Sequence, residues 1–410
     1  MTNFYNDFMM MIESKKVICF GAGKSAERIV NEMSLTKDNI EGFVDSNIAL
    51  WNTTIQIPRV GIFPVYSPQF LEDLNPENYI ILITSMYWEE IIKYINNNFN
   101  KKYRIFHSPC VREHVLGSKE FMETRYIDPC INRYQRYCKE FLLLNDKEIE
   151  METNNLRQRL IKDDYVVIPR MPIILSTKCT LRCKECNNLV PYFNNPIEFS
   201  AEEIIDNITK VAHAADEWIY CELVGGEPFL YKELPKVLNY VLELKKIRAI
   251  EVTTNGTVIP SKEVLGLLAN EKIIVKISDY GKYSNIPKLT NIFEENHIKY
   301  TVYEDMQWIK AGGCDKRNRD LRIQISQYMQ CPASHYCHTL MGNKIFICSR
   351  AASLYYLEIL KEDNEYILID NNRLKEDIKG LYLKPQCTAC DYCDMYIPEQ
   401  IMISAAEQRK

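Results

Sequence analysis

Long apolar runs are missing from this sequence, and no stretch of it is apolar enough to cross a bilayer. The first twenty residues lack a basic segment and a small-residue cleavage site, so we expect no export signal. Strong positive charge is missing too, because the formal net charge is -5 at pH 7. That balance argues against a nucleic-acid partner held through phosphate contacts. We therefore expect a cytoplasmic protein that acts on small molecules, with no membrane and no nucleic acid among its partners.

Cysteine, in contrast, is abundant, with 15 in 410 residues. Structural disulfides rarely persist in a reducing compartment, so clustered cysteines point to metal ligation. Three local clusters contain nine of them: Cys179, Cys183 and Cys186; Cys331, Cys337 and Cys348; Cys387, Cys390 and Cys393. The other six have no ligand spacing and are predicted to be buried core residues: Cys19, Cys110, Cys130, Cys138, Cys221 and Cys314.

Four successive patterns predict the domain organisation. Residues 1–110 contain a strand, a glycine turn and a helix, followed by two further strands, which is typical of a Rossmann-like domain. Residues 111–165 are polar and helical and indicate a connector. In residues 166–330 apolar strands alternate with amphipathic helices, which predicts parallel strands with crossover helices. Residues 331–410 are cysteine-rich and have too little apolar core to be stable without a metal.

The predicted fold class is therefore α/β. It consists of a partial (β/α)6 TIM-type barrel with an N-terminal Rossmann-like domain and a small cysteine-rich C-terminal domain. Ser200 and Glu203 form a capping box before an apolar face, so a helix is expected to begin there. The barrel strands are predicted over 172–176, 218–224, 250–254, 273–278 and 298–303, with helices over 200–215, 231–246, 261–270 and 284–296.

The first cysteine cluster directly follows the first barrel strand, where barrels of this kind place their active sites. Its C-x-x-x-C-x-x-C spacing allows three thiolates to bind three irons of a four-iron cluster and leaves the fourth iron open. A zinc site is the alternative. Zinc, however, favours C-x-x-C pairs and four protein ligands, and this loop offers three cysteines with a three-residue gap.

This motif resembles the signature of the radical S-adenosylmethionine (SAM) superfamily. The resemblance covers residues from about 166 to 330. The resemblance implies a [4Fe-4S] cluster whose open iron binds SAM, and reductive cleavage of SAM to a 5'-deoxyadenosyl radical. In that family the second strand ends in a G-G-E-P segment that contacts the SAM amino group. Gly225, Gly226, Glu227 and Pro228 match this segment. The resemblance also places contacts to ribose or substrate at Thr253, Thr254, Asn255, Ser278, Asp279 and Tyr280.

One residue departs from that pattern. The position before the last cysteine is commonly aromatic in the family and packs near the adenine, but here it is Glu185. Tyr192 and Phe193 are alternative aromatic residues for that contact.

The two later cysteine clusters resemble the auxiliary-cluster extensions called SPASM and Twitch domains. Six cysteines fit a single auxiliary [4Fe-4S] cluster of the Twitch type better than two clusters. We take Cys337, Cys348, Cys387 and Cys390 as the first four ligands, with Cys331 and Cys393 as substitutes. A structural zinc is the alternative. Such an enzyme also needs an electron donor such as flavodoxin or ferredoxin.

In the N-terminal domain, Gly21, Gly23 and Ala26 form a G-x-G-x-x-A turn between strand and helix. A helix N-terminus of this kind can hold a phosphate, and Asp45 can bond a ribose hydroxyl. Docking of a nucleotide or nucleotide sugar and a purely structural role are both open for this domain.

The expected substrate is a small molecule, and the segment 308–318 resembles a subgroup linked to sugar and polysaccharide pathways. An auxiliary cluster that accepts an electron would make the outcome oxidation, whereas a thiol that returns a hydrogen atom would make it epimerisation. Cys314 and Cys221 are the candidate thiols, each more often a buried core residue. A peptide or protein maturase is the second interpretation, and a non-enzymatic zinc-binding scaffold is the third.

Overall fold

The structure is a computed structural model that describes residues 4–33, 35–85, 87–107, 119–162, 164–304, 307–362, 365–384, 386–397 and 400–409. It divides into two compact units. The smaller, N-terminal unit comprises Met1–Met122 with Asp320–Ser326 and Ile397–Glu399. The larger unit comprises Glu123–Arg319, Gln327–Tyr396 and Gln400–Lys410. The predicted domain boundary at 110/111 falls outside the described residues.

The N-terminal unit is built on a six-stranded sheet in the order β3-β4-β2-β1-β5-β6, parallel except for the edge strand β3. The central strands form because apolar residues fill them on both faces, as in buried parallel sheets. Its strands are β1 Lys16–Phe20, β2 Ile40–Val44, β3 Thr53–Ile57, β4 Gly61–Tyr66, β5 Tyr79–Ile83 and β6 Arg104–His107. Its helices are α1 Phe4–Ile12, α2 Lys24–Glu32, α3 Phe70–Asp73 and α4 Trp88–Asn98.

The larger unit begins with two helices and continues as alternating strands and helices. Its strands are β7 Val167–Ile174, β8 Glu217–Val224, β9 Ile247–Thr254, β10 Ile273–Ser278, β11 Tyr300–Tyr303, β12 Gln307–Ile309, β13 Thr339–Met341, β14 Lys344–Phe346, β15 Tyr366–Leu368 and β16 Met402–Ser404. Its helices are α6 Asp146–Ile161, α7 Ala201–Ala214, α8 Leu234–Glu243, α9 Lys262–Leu268, α10 Ile286–Glu295, α12 Pro332–Tyr336, α13 Ser349–Tyr356 and α14 Leu374–Tyr382. Two further helices, α5 Lys119–Glu140 and α11 Leu321–Gln330, have their first residues in the smaller unit and the rest in the larger one. Across the described ranges, no helix combines the length and the apolar character that crossing a membrane requires.

Five parallel strands, β7 to β11, lie side by side in chain order, as the alternating pattern predicts. The sixth parallel strand is β13, which pairs with β7 through Leu340 and Ile173. It is therefore not the strand that follows β11 in the chain. All three residues of β13 are buried, whereas β12 is half-exposed and pairs instead with β16. The cysteine-rich region, and not β12, therefore completes the sheet.

Helix α7 shows how local sequence sets these crossover elements. The Ser200 side chain accepts a hydrogen bond from the backbone N–H of Glu203 at 3.1 Å, and the helix begins after it. Ile204, Ile208 and Val211 are buried on one face, at the spacing expected for a helix that covers a sheet.

A network of buried charges crosses the inside of this sheet. Arg170 on β7 pairs with Glu222 on β8 at 2.8 Å and with Glu251 on β9 at 3.5 Å. Lys276 on β10 also pairs with Glu251, whose side chain is fully buried. Thr253 donates a hydrogen bond to Glu222 at 2.8 Å. Because unpaired charges at these positions would be very costly, each strand constrains its neighbour.

Replacing Arg170 tests this network. We expect Arg170→Met to destabilise the larger unit by about 3–5 kcal/mol, because the buried glutamates lose their shared cation. The matched control is Arg157→Met, since Arg157 pairs with Asp128 at 3.7 Å on the surface and a pair of that kind is worth about 0–1 kcal/mol. Urea unfolding followed by circular dichroism measures both losses. Equal losses in the two variants would contradict the assigned role.

Candidate active site

A cavity of about 500 Å³ opens at the carboxyl ends of the parallel strands. The three cysteines of the loop after β7, Cys179, Cys183 and Cys186, all line it. From the ends of β8, β9 and β10 it is lined by Val224, Gly225, Gly226, Thr253, Thr254, Asn255, Ser278 and Tyr280. The volume lies in the range typical of small-molecule sites, of about 300–1,000 Å³.

The cluster loop, residues 175–188, presents its sulfur atoms to N–H donors. Cys179 Sγ accepts from the backbone N–H of Leu181 at 3.4 Å and from Asn255 Nδ2 at 3.5 Å. Cys183 Sγ accepts from Gln408 Nε2 at 3.3 Å. Burial raises the pKa of Cys179 to about 11, so the free thiol is protonated at neutral pH and a bound metal would displace the proton.

The donor set fits an iron-sulfur cluster better than a single ion. In the described part of the chain, no three cysteine, histidine or carboxylate groups close around one metal ion. Zinc would draw its thiolates to about 2.3 Å from a shared centre, whereas a cube of iron and sulfur keeps its cysteines farther apart. Three thiols around one cavity, with N–H groups directed at two of the sulfurs, fit the cluster.

Gly225 and Gly226 allow two loops to lie backbone to backbone. The N–H groups of Gly226 and Glu227 donate to the carbonyls of Ser176 and Lys178, each at 2.8 Å. A Cβ on Gly226 would overlap the Lys178 carbonyl, and one on Gly225 would overlap the Ser176 carbonyl. These glycines are therefore required for close approach to the cluster loop, before any ligand is considered.

The Glu227 carboxylate is engaged by the end of β9. It accepts hydrogen bonds from the Thr254 hydroxyl at 2.8 Å and from the N–H groups of Asn255 at 2.9 Å and Phe229 at 3.2 Å. Burial raises the pKa of Glu227 to about 7 despite these bonds. Glu227 does not line the cavity, and its hydrogen bonds connect the end of β8 to the end of β9. Pro228 begins the short 3-10 turn that follows.

Two aromatic rings form one wall of the cavity. Tyr280 and Trp308 meet edge to face with their ring centroids 5.5 Å apart. Burial raises the pKa of Tyr280, so its hydroxyl remains protonated. Tyr192 and Phe193 do not line the cavity, and Tyr192 packs instead under Arg409.

Glu185, at the position where an aromatic residue was expected, has a definite partner. Its carboxylate accepts the backbone N–H of Gly312 at 2.7 Å. Arg350 donates to the carbonyl of Gly313 at 2.6 Å. Glu185 and Arg350 together therefore fix the backbone that precedes Cys314. Cys314 itself is half-buried and does not line the cavity, and Cys221 is buried within β8.

Five of the six C-terminal cysteines lie close enough to interact electrostatically with one another. Cys390 interacts with Cys331, Cys348, Cys387 and Cys393, and Cys348 with Cys387 and Cys393. The Cys387 thiol also donates to the Glu365 carboxylate at 2.8 Å, a bond that deprotonation by a metal would end.

Cys337 interacts instead with Arg170 and Glu222 of the buried charge network. Tyr396 interacts with Cys337 and also with Cys331 and Cys393.

Most of the cysteines without ligand spacing are core residues. All fourteen cysteines in the described ranges are free, and Cys19, Cys130, Cys138 and Cys221 are buried. Cys110 lies outside the described residues.

In the N-terminal unit, Asp45 lies beside the glycine turn. Its carboxylate accepts the backbone N–H groups of Ala22 at 2.7 Å and Asn47 at 2.8 Å. These bonds stabilise the turn after β1 between Gly21 and Gly23. Each carboxylate oxygen accepts one of these bonds and has a further lone pair, so a ribose contact by Asp45 stays a prediction.

Trp308 and Gln408 are among the site residues that sequence reasoning missed. Trp308 stood in a segment that the sequence had singled out, but β12 had not been predicted. Gln408 lies 225 positions from Cys183 and carried no signal in its spacing or residue type.

Residues 173–278 match the family model described as the radical SAM superfamily. This part of the chain, which contains the three loop cysteines and Gly225 to Pro228, is a radical SAM domain. Domains of this family use a four-iron cluster together with SAM.

Two curated relatives are similar over this region. A probable GTP 3',8-cyclase of Archaeoglobus fulgidus is 37% identical over 101 residues, which are 24% of this chain and 31% of the relative. The subtilosin biosynthesis protein AlbA of Bacillus subtilis is 34% identical over 108 residues, which are 25% of this chain and 22% of the relative. The chain thus spans less than a third of the length of these relatives.

Among solved structures, BtrN in complex with AdoMet and 2-DOIA has a TM-score of 0.37 and 12% identity, covering 60% of this chain and 98% of that one. A SuiB structure of Streptococcus suis bound to S-adenosylmethionine has a TM-score of 0.33 and 16% identity, covering 58% and 75%.

Gly226→Ala tests the close approach of the two loops. The added methyl overlaps the Lys178 carbonyl, so we expect a loss of about 1–3 kcal/mol of stability from overpacking and clearly less iron bound after anaerobic reconstitution. Gly266→Ala is the control, because nothing lies within 4 Å of its added Cβ on α9. Iron and sulfide analysis of both proteins measures the effect. Full iron content in Gly226→Ala would show that the loop tolerates displacement.

Proposed function

We propose that the protein is a radical SAM enzyme, which cleaves SAM reductively to a 5'-deoxyadenosyl radical and removes a hydrogen atom from a substrate. The observation that carries this proposal is the arrangement of Cys179, Cys183 and Cys186 around one cavity, with their loop hydrogen-bonded to the Gly226 segment. When bound, the cluster supplies one electron to SAM, and the chemistry of the radical follows from the cofactor.

In this proposal the chain's own residues orient the ligands. Cys179, Cys183 and Cys186 hold three irons, and Gly225 and Gly226 present backbone to SAM. Thr254, Asn255 and Ser278 lie at the strand ends on the cavity, where their polar groups can position SAM or substrate. Tyr280 and Trp308, whose rings meet edge to face, form an aromatic wall on which the adenine ring or the substrate can pack. Glu227 supports this surface through Thr254 and Asn255 and is not itself assigned a contact with SAM.

We propose an auxiliary four-iron cluster held by Cys348, Cys387 and Cys390, with Cys331 or Cys393 as the fourth ligand. Their mutual interactions support this set. Cys337 is left out, because its charged neighbours belong to the barrel interior. The electron donor to the first cluster is then a flavodoxin or ferredoxin.

The proposed substrate is a small polyol such as a sugar. Neutral hydrogen-bonding side chains dominate the polar lining of the cavity: Asn187, Asn188, Thr253, Asn255, Ser278 and Gln307. Among the described residues, the lining includes no lysine or arginine, and Glu185 is its one acidic side chain. Such a surface suits hydroxyl groups better than phosphates, so the phosphates of a nucleotide sugar would have to lie outside the cavity.

Oxidation is the favoured outcome. Epimerisation requires a thiol that returns a hydrogen atom, yet the only described thiols on the cavity are those of the cluster loop. An auxiliary cluster held by the C-terminal cysteines would supply the acceptor for the one electron that oxidation of a substrate radical releases, and solvent or a base would take the proton, so that an alcohol carbon would become a carbonyl.

A peptide maturase is the second candidate, and the similarity to AlbA favours it. A precursor peptide and a sugar library, each assayed for consumption in the presence of SAM, distinguish the two substrate classes.

Release of 5'-deoxyadenosine tests the central proposal. Anaerobically reconstituted and reduced protein should form it from SAM, and Cys183→Ala should abolish it because one iron loses its ligand. Cys138→Ala, which removes a buried thiol on α5, should retain the activity. Chromatographic detection of 5'-deoxyadenosine measures all three. Equal release from wild type and Cys183→Ala would overturn the proposal.

Iron counting tests the auxiliary ligands. We expect Cys348→Ala to lower the iron content by about four atoms per chain, and Cys337→Ala to leave it unchanged. Mössbauer spectroscopy of both variants separates a lost cluster from partial occupancy. Loss of four irons in Cys337→Ala would restore that residue to the ligand set.

A further inference from the structure

The segment 402–409 runs from the cavity wall to the cluster loop. Its first part, β16, pairs antiparallel with β12, whose Trp308 and Ile309 line the cavity. Its last residues then lie along the cluster loop as a short antiparallel partner, with Gln408 opposite Cys183. One segment therefore contacts both the wall and the metal ligands.

Two backbone hydrogen bonds fix this second pairing. The N–H of Lys184 donates to the Glu407 carbonyl at 2.6 Å, and the N–H of Arg409 donates to the Arg182 carbonyl at 2.9 Å. The Arg409 guanidinium also lies 4.3 Å from the ring centroid of Tyr192. The residues before and after Cys183 are thus both hydrogen-bonded to the same C-terminal segment.

The Gln408 amide is oriented by its other partners. Its Oε1 accepts the N–H of Arg182 at 2.7 Å, and its Nε2 donates to the Ala406 carbonyl at 2.7 Å. The opposite orientation would place the Gln408 NH2 group against the Arg182 N–H and the Gln408 oxygen against the Ala406 carbonyl. The group that faces Cys183 Sγ at 3.3 Å is therefore a donor.

We propose that Gln408 is a positioning residue that raises the reduction potential of the cluster at Cys183 through an N–H···S hydrogen bond. This inference rests on the proposed function, because it requires a cluster at the loop. A reduced cluster carries one more negative charge, so a donor at a ligand sulfur stabilises the reduced state more than the oxidised state. The pairing of 407–409 with 182–184 keeps that donor in place.

Two variants separate the hydrogen bond from the pairing. Gln408→Leu removes both polar groups without adding charge. Gln408→Glu keeps an oxygen for the Arg182 N–H but loses the donor to sulfur. Glu407→Gln is the control, because the Glu407 side chain is exposed and, among the described residues, its partner is Lys184 at 3.5 Å.

The experiment is an EPR-monitored redox titration of the full-length, reconstituted protein, following the signal that changes when SAM is added. We expect a more negative midpoint potential in Gln408→Leu and Gln408→Glu, and the wild-type value in Glu407→Gln. Wild-type potentials in both Gln408 variants at full iron content would overturn the role of Gln408 and leave the proposed function standing. If Gln408→Leu does not hold the cluster, the neutral variant Gln408→Met decides, because Gln408→Glu also adds a negative charge that lowers the potential by itself. A wild-type protein that takes up no iron would overturn the proposed function and this inference together.

Discussion

The site depends on two backbone hydrogen bonds between the end of β8 and the cluster loop. Gly226 and Glu227 donate them to Ser176 and Lys178, and only glycine at 225 and 226 lets the chains come so close. The Glu227 carboxylate also accepts hydrogen bonds from the end of β9, so hydrogen bonds connect the ends of β7, β8 and β9 one after another. The positions of the cysteine sulfurs therefore follow from packing between loops as much as from the loop's own conformation.

Beneath this layer the barrel interior is charged. Thr253 lines the cavity and donates to Glu222, which pairs with Arg170. The hydrogen bonds of the cavity floor thus continue into a network that spans four strands. A buried network of this kind adds little net stability compared with apolar packing, but it penalises any register in which one charge loses its partner.

Much of the barrel could be predicted from sequence, because each element carries a local signal. The strand 273–278 was predicted with its observed bounds, and the α7 start followed from Ser200. The cluster loop and the Gly-Gly-Glu-Pro segment were found because their chemistry requires fixed residue types at short spacing. By contrast, β13 beside β7, Trp308 on the cavity and Gln408 against Cys183 arise from pairings between distant segments. No local pattern encodes these pairings. The charged neighbours of Cys337, Arg170 and Glu222, also come from distant segments, whereas spacing alone made Cys337 equivalent to the other C-terminal cysteines.

The distance along the chain between Cys183 and Gln408 has a consequence for biosynthesis. The two residues are 225 positions apart, so at about 5–20 residues per second the ribosome makes Gln408 roughly 10–45 s after Cys183. During that interval the cysteine loop lacks its antiparallel partner and the amide that faces its sulfur. Iron delivered to the nascent chain would meet an incomplete binding loop, whereas iron delivered after release meets the finished one. The surroundings of Cys183 are thus completed only after the segment that contains Gln408 has been made.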